Sequence, residues 1–138
     1  MIHYPLDTNI ISELVQPRPD SRVVERYRAR RHESAIASTI WHELLYGVER
    51  LPSGKRRDTL AHYMEEVIRS TLPVLPYDAV AAEWHARQRV RLERVGQPRP
   101  YADALSAAVA ATRGLVFVTR NERDVEGYDG LTVENWFE

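Results

Sequence analysis

The 138-residue chain predicts an α/β fold, a three-layer α/β/α sandwich around a mainly parallel sheet. Three observations predict it. Short apolar runs alternate with amphipathic stretches along the whole chain, as when strands are joined through helices. "LVFVT" (Leu115–Thr119) is an uninterrupted apolar run closing on one Thr, the pattern of a strand covered on both faces. "YADALSAAVAATRG", just before it, is apolar nearly all round and marks a helix pressed against something flat.

The elements follow in order. Ile2–Leu6 is a short buried strand, and a helix runs from Thr8 to about Val15 before Pro17 and Pro19 break it. Asp20 or Ser21 caps a second helix carrying Val23, Val24 and Tyr27. "SAIAST" (Ser34–Thr39) is a small-residue strand. In "IWHELLYGVERL", Ile40, Leu44 and Val48 form one i, i+4 row with Trp41 and Leu45 beside it. "PSGK" breaks the chain, and Lys55 to about Arg69 forms another helix. "LPVLPYD" (Leu72–Asp78) is a strand bounded by prolines, followed by a long Arg-rich helix from Ala79 to about Val95. "GQPRP" opens a loop before the Ala-rich helix, whose C-cap is Gly114. "LTVEN" (Leu131–Asn135) is an edge strand.

The length predicts one domain over residues 1–138 with a core that needs no staples. Cys is absent, which removes disulfides, a thiolate nucleophile and Cys-based zinc, and fits a reducing cytoplasm. There is no basic leader followed by a long apolar run, so secretion and membrane insertion are not expected. The formal net charge of −1 argues against a polyanion partner. Its distribution argues otherwise: six Arg lie between Arg18 and Arg31 against Asp20 and Glu25, and five between Arg87 and Arg99 against Glu93. Such stripes suit phosphates, although solvated helix faces look the same.

Ligands of parallel sheets gather at the carboxyl ends of the strands. Asp7 follows the first strand, and Asn121 and Asp124 follow "LVFVT". Glu43 and Asp103 fall in the predicted first turns of the helices after "SAIAST" and Pro100. Each has a local explanation. Asp7, Thr8 and Asn9 can cap a helix. Acids in a first turn complement the helix dipole, and Asn121 and Asp124 suit a turn. Together they bring four carboxylates to one sheet edge, where they repel unless a cation sits among them. Hard oxygen ligands of this kind suit Mg²⁺ or Mn²⁺. Gly47, one turn beyond Glu43, leaves room for something bulky.

The series "LDTNIISEL", "STIWHELLYGVERL", "YADALSAAVAATRGLVFVTRNERD" and "LTVENW" resembles the PIN-domain nucleases, in particular the VapC toxins of bacterial toxin–antitoxin pairs, over essentially the whole chain. The resemblance implies a Mg²⁺-dependent endoribonuclease with a PIN-like fold. Its acids correspond to Asp7, Glu43 and Asp103, with Asp7 and Asp103 the principal metal ligands. Thr8, Asn9 and Thr119 match the small polar residues that steady the site. Where many relatives carry an acid directly after Thr-Arg, this chain has Asn121, so the fourth position falls to Asn121 or to Asp124. The resemblance further implies an RNA substrate, a homodimer and a small antitoxin that reaches into the site. Trp41 and Tyr46 are candidates for that partner's groove, with the core as their ordinary place.

Arg99, Arg120 and Arg123 flank the acidic segments and are the first candidates for RNA contacts; without the four acids the chain carries +3. Other chemistries fit less well. A haloacid-dehalogenase phosphatase needs a second Asp where Asn9 stands. "HELLY" lacks the second zinc-binding His, replaced by Tyr46. The alternative from a different class is a catalytically silent PIN-like module binding RNA or a partner; the intact Asp7, Glu43, Asp103 set weighs against it.

Overall fold

The computed structural model describes all residues from Met1 to Glu138. Strand β1 (Tyr4–Pro5) pairs in parallel with β2 (Ser34–Ala37), which pairs in parallel with β3 (Val74–Leu75). A second parallel pair joins β4 (Val116–Val118) to β5 (Thr132–Glu134). A parallel bridge between Leu6 and Val118 connects the two pieces, and the Asp7 N–H donates to the Val118 carbonyl at 2.9 Å. The combined strand order is β3-β2-β1-β4-β5. The direction of winding therefore reverses between β1 and β4, the kind of switch point where open α/β sheets bind ligands.

Helices cover the sheet. They are α1 (Thr8–Leu14), α2 (Ser21–Arg30), α3 (Ser38–Glu49), α4 (Lys55–Tyr63), α5 (Ala79–Arg94) and α6 (Tyr101–Thr112). Neighbouring β4 residues point to opposite faces. Val118 accordingly enters a core with Leu6, Ile10, Ile36, Leu44 and Trp136, while Phe117 enters another with Leu92, Ala104, Ala107 and Tyr128. Two buried faces make the predicted three layers. The row Ile40, Leu44, Val48 is buried, and Asp20, not Ser21, caps α2 by accepting from the Arg22 N–H at 2.8 Å. Gly114 follows α6 at φ +66°, the left-handed conformation that suits a residue without Cβ.

Several predicted boundaries shift. The "SAIAST" strand stops at Ala37, and Ser38 and Thr39 open α3. Leu72–Asp78 yields only the two-residue β3: Pro73 and Pro76 limit the ladder, and the Leu72 N–H still bonds the Ile68 carbonyl of the preceding helix. Beyond Tyr63, α4 continues as a π-helical segment, Met64–Arg69. Ile2–Leu6 contracts to β1 plus the Leu6 bridge. Tyr46 is exposed and packs with the Arg50 guanidinium (5.2 Å), whereas Trp41 is half-buried against the core.

Candidate active site

The acids predicted from sequence come to the switch point by different routes. Asp7 sits where β1 ends and α1 begins, and it is 4% exposed. It caps the helix: Oδ1 accepts from the Thr8 N–H at 2.7 Å. Oδ2 accepts from the Thr119 hydroxyl at 2.7 Å and from the Asn9 amide at 3.2 Å. Cap and cluster member are thus the same residue. Thr119, buried just past β4, also accepts from the Asn121 N–H at 3.0 Å. The Asn9 side-chain Oδ1 accepts from the Arg120 N–H at 3.1 Å, tying the ends of β1 and β4 together.

Asp103 lies in the first turn of α6 after Pro100. Glu43 does not lie in a first turn: with α3 starting at Ser38 it is the helix's sixth residue, so the dipole argument for it lapses. It does stand one turn beyond Thr39, facing Asp103 across a recess of about 120 Å³ lined by Asp7, Thr8, Thr39, Glu43, Asp103 and Ser106, among others. Asn121 is exposed and precedes a 3₁₀ turn, Glu122–Val125, that carries Asp124.

The electrostatics tie the group together. Burial pushes the Asp103 carboxyl up to about 6, and the charges of Asp7, Asp124 and Glu43 push the same way, in that order. Burial also raises Asp7, against the hydrogen bonds from Thr119, Thr8 and Asn9 that favour its ionised form. Asp103 therefore feels all three other acids. Asn121 carries no charge to add. Glu122, nearer to Asn121 in sequence than Asp124, is exposed and is not among the charges acting on Asp103. No three of these side chains close into a ready-made cation cage. Asp7, Glu43 and Asp103 stand around the polar recess, as mutually repelling carboxylates do, whereas Asn121 and Asp124 line a separate depression with Arg120 and Arg123.

The arginines differ from one another. Arg123 is exposed on the 3₁₀ turn. Arg120 is exposed with its guanidinium 4.4 Å from the Phe137 ring. Arg99 donates from Nε to the Glu126 carbonyl at 2.7 Å, so it also pins the loop before α6. The sequence reading missed His42, Thr39 and Ser106, which line the recess; helical spacing from Glu43 and Asp103 is the signal that points to the last two. Glu43 also opens on a larger groove of about 970 Å³ bordered by α1, α3 and α4, where Val15, Leu44, Leu51, Leu60 and Arg50 are among the lining residues. A side chain at Gly47 would meet open space there.

A PIN-domain profile matches residues 4–130. The chain is 35% identical over 136 residues to the tRNA(fMet)-specific endonuclease VapC of Shigella flexneri, covering 99% of each protein. FitAcB from Neisseria gonorrhoeae superposes with a TM-score of 0.91 at 30% identity, over 98% of this chain and 99% of that one. DNA-bound VapBC from Salmonella typhimurium gives 0.82 at 33%, over 99% of both. By sequence and by fold, this chain belongs to the PIN-domain family, within its VapC group of toxin–antitoxin ribonucleases.

Proposed function

We propose that residues 1–138 act as a Mg²⁺-dependent endoribonuclease, the toxin of a toxin–antitoxin pair. The observation that carries this is the single polar recess that Asp7, Glu43 and Asp103 line together, where burial first, and then the neighbouring acids, raise the Asp103 carboxyl. The donor set is all carboxylate oxygen, which suits Mg²⁺ and admits Mn²⁺. The recess of about 120 Å³ exceeds a water's share of about 30 Å³ several-fold. Asp7 and Asp103 would hold the ion, and Asp124, whose charge acts on Asp103, would take the fourth position. A bound Mg²⁺ supplies Lewis acidity toward the scissile phosphate and a more acidic water.

The chain's own groups do the rest. Thr119 and Asn9 fix the Asp7 carboxylate by hydrogen bonds to Oδ2, so its rotamer is set before substrate arrives. Glu43, the exposed acid at the mouth, orients the attacking water by accepting its hydrogen bond. Arg120 and Arg123, with Arg99, meet the RNA phosphates. No side-chain nucleophile is needed.

The groove beside Glu43 suits a short amphipathic segment of the antitoxin, with Arg50, Lys55 and Arg56 at its polar rim. Solved relatives such as VapBC are complexes, in keeping with such a partner. No helix is long and apolar enough to cross a membrane; a cytoplasmic location and a homodimer are part of the same proposal. Cleavage of RNA assayed with Mg²⁺, with Mn²⁺ and with chelator tests the activity: metal-dependent cleavage is expected. A divalent ion that raises the melting temperature without any cleavage would instead leave a silent binding module.

A further inference from the structure

Glu43 and Asp103 stand on different helices, and one side-chain hydrogen bond joins those helices at the recess. Thr39 Oγ1 and Ser106 Oγ are 2.7 Å apart. Thr39 is four residues before Glu43 on α3, and Ser106 is three after Asp103 on α6. Each hydroxyl thus lies on the same helical face as its acid, one turn away. Both line the recess together with Asp7, Glu43 and Asp103, and Ser106 is 1% exposed.

Two local features set this bond apart. Ser and Thr at a helix start ordinarily cap free N–H groups, yet α3 has no side-chain cap hydrogen bond. Ser38 accepts from the Tyr77 N–H at 3.0 Å, and Thr39 turns to Ser106. Within a helix such hydroxyls commonly bond back to the carbonyl four residues earlier, as Thr112 does to Ala108 at 2.7 Å. Ser106 reaches across to α3 instead. Half of its helix is alanine, whose short side chains make shallow ridges and set helix register weakly. A buried polar group is a known device for fixing register, and Ser106 is the buried member of this pair.

We infer that Thr39 and Ser106 form a positioning clasp that fixes the separation of Glu43 and Asp103, and so the span offered to a divalent cation. The inference rests on the metal-dependent reading above. Neither hydroxyl is a catalytic residue; both act through the acids.

The test uses Thr39→Val, Ser106→Ala, the double variant and Thr39→Ser in the full chain. Mn²⁺ affinity is measured by calorimetry without RNA, alongside kcat and KM for RNA cleavage and the melting temperature. Losing the clasp is expected to weaken Mn²⁺ binding about tenfold and to lower kcat by about tenfold to a hundredfold, as misplaced groups do, with KM little changed. Thr39→Ser should restore both. The double variant, which leaves no buried hydroxyl unpaired, should recover the melting temperature and not the Mn²⁺ affinity. Parental affinity and kcat in Thr39→Val, or affinity that recovers with melting temperature in the double variant, would overturn the clasp. Failure of the parent to bind Mn²⁺ would overturn the metal reading itself, and the clasp with it.

Discussion

Replacing Asp103 by Asn removes a negative charge that burial, and then the neighbouring acids, disfavour, and the structure fixes the sign of the result. Native Asp103 keeps its proton up to about pH 6, against 3.8 for an ordinary Asp. Between those values the folded chain holds a proton that the unfolded chain has released. The stability linked to that proton is fully present below 3.8 and is lost as pH rises through about 6. For a fully shielded group the gap is worth about 3 kcal/mol. Asp103 is only half-buried, and solvent screening reduces the expected figure to about 1 kcal/mol. In chelator at pH 7.5, Asp103→Asn should therefore melt about 2–4 °C above the parent. The two melting curves should converge toward pH 4. Saturating Mg²⁺ should raise the parent more than the variant and close the gap, while RNA cleavage by the variant collapses. A variant that melts at or below the parent in chelator at pH 7.5, with an unchanged pH profile, would show that burial and neighbouring acids do not disfavour the Asp103 charge.

Other outcomes follow from the same contacts. Asp7→Asn should lose at least about a hundredfold in RNA cleavage with little change in melting temperature, because relief of repulsion offsets the lost acceptor. Thr119→Val removes the hydroxyl that serves Asp7 Oδ2 and the Asn121 N–H. It should cost about 1–3 kcal/mol in denaturant unfolding, since a buried partner is left unpaired. Arg123→Ala should weaken binding of single-stranded RNA and reduce the slope of log K against log salt by about 0.7, as expected for one lost phosphate contact; an unchanged slope would remove Arg123 from the interface.

The sequence by itself determined the layers and the identities of the acids. The row Ile40, Leu44, Val48 is buried because its i, i+4 spacing puts it on one helical face, and Phe117 and Val118 are buried as an apolar run in a strand covered on both faces requires. Asp7 and Asp124 could be picked out because parallel strands send their ends to one edge, and Asp103 because it falls in a helix's first turn. Local boundaries were less legible. Ser38 and Thr39 read as strand in a small-residue run, but they open α3, with their hydroxyls partnered by Tyr77 and Ser106. That shift alone moved Glu43 from a first turn to a second.

Only the tertiary structure decided how the acids meet. Whether Asn121 or Asp124 bears on Asp103 depends on how the 3₁₀ turn folds back, and no spacing rule encodes that. The Asp7–Thr119 and Thr39–Ser106 bonds join residues 112 and 67 positions apart. Their partners are chosen by sheet order and helix packing, which are cooperative properties of the whole chain, whereas hydrophobic periodicity is written locally in each segment.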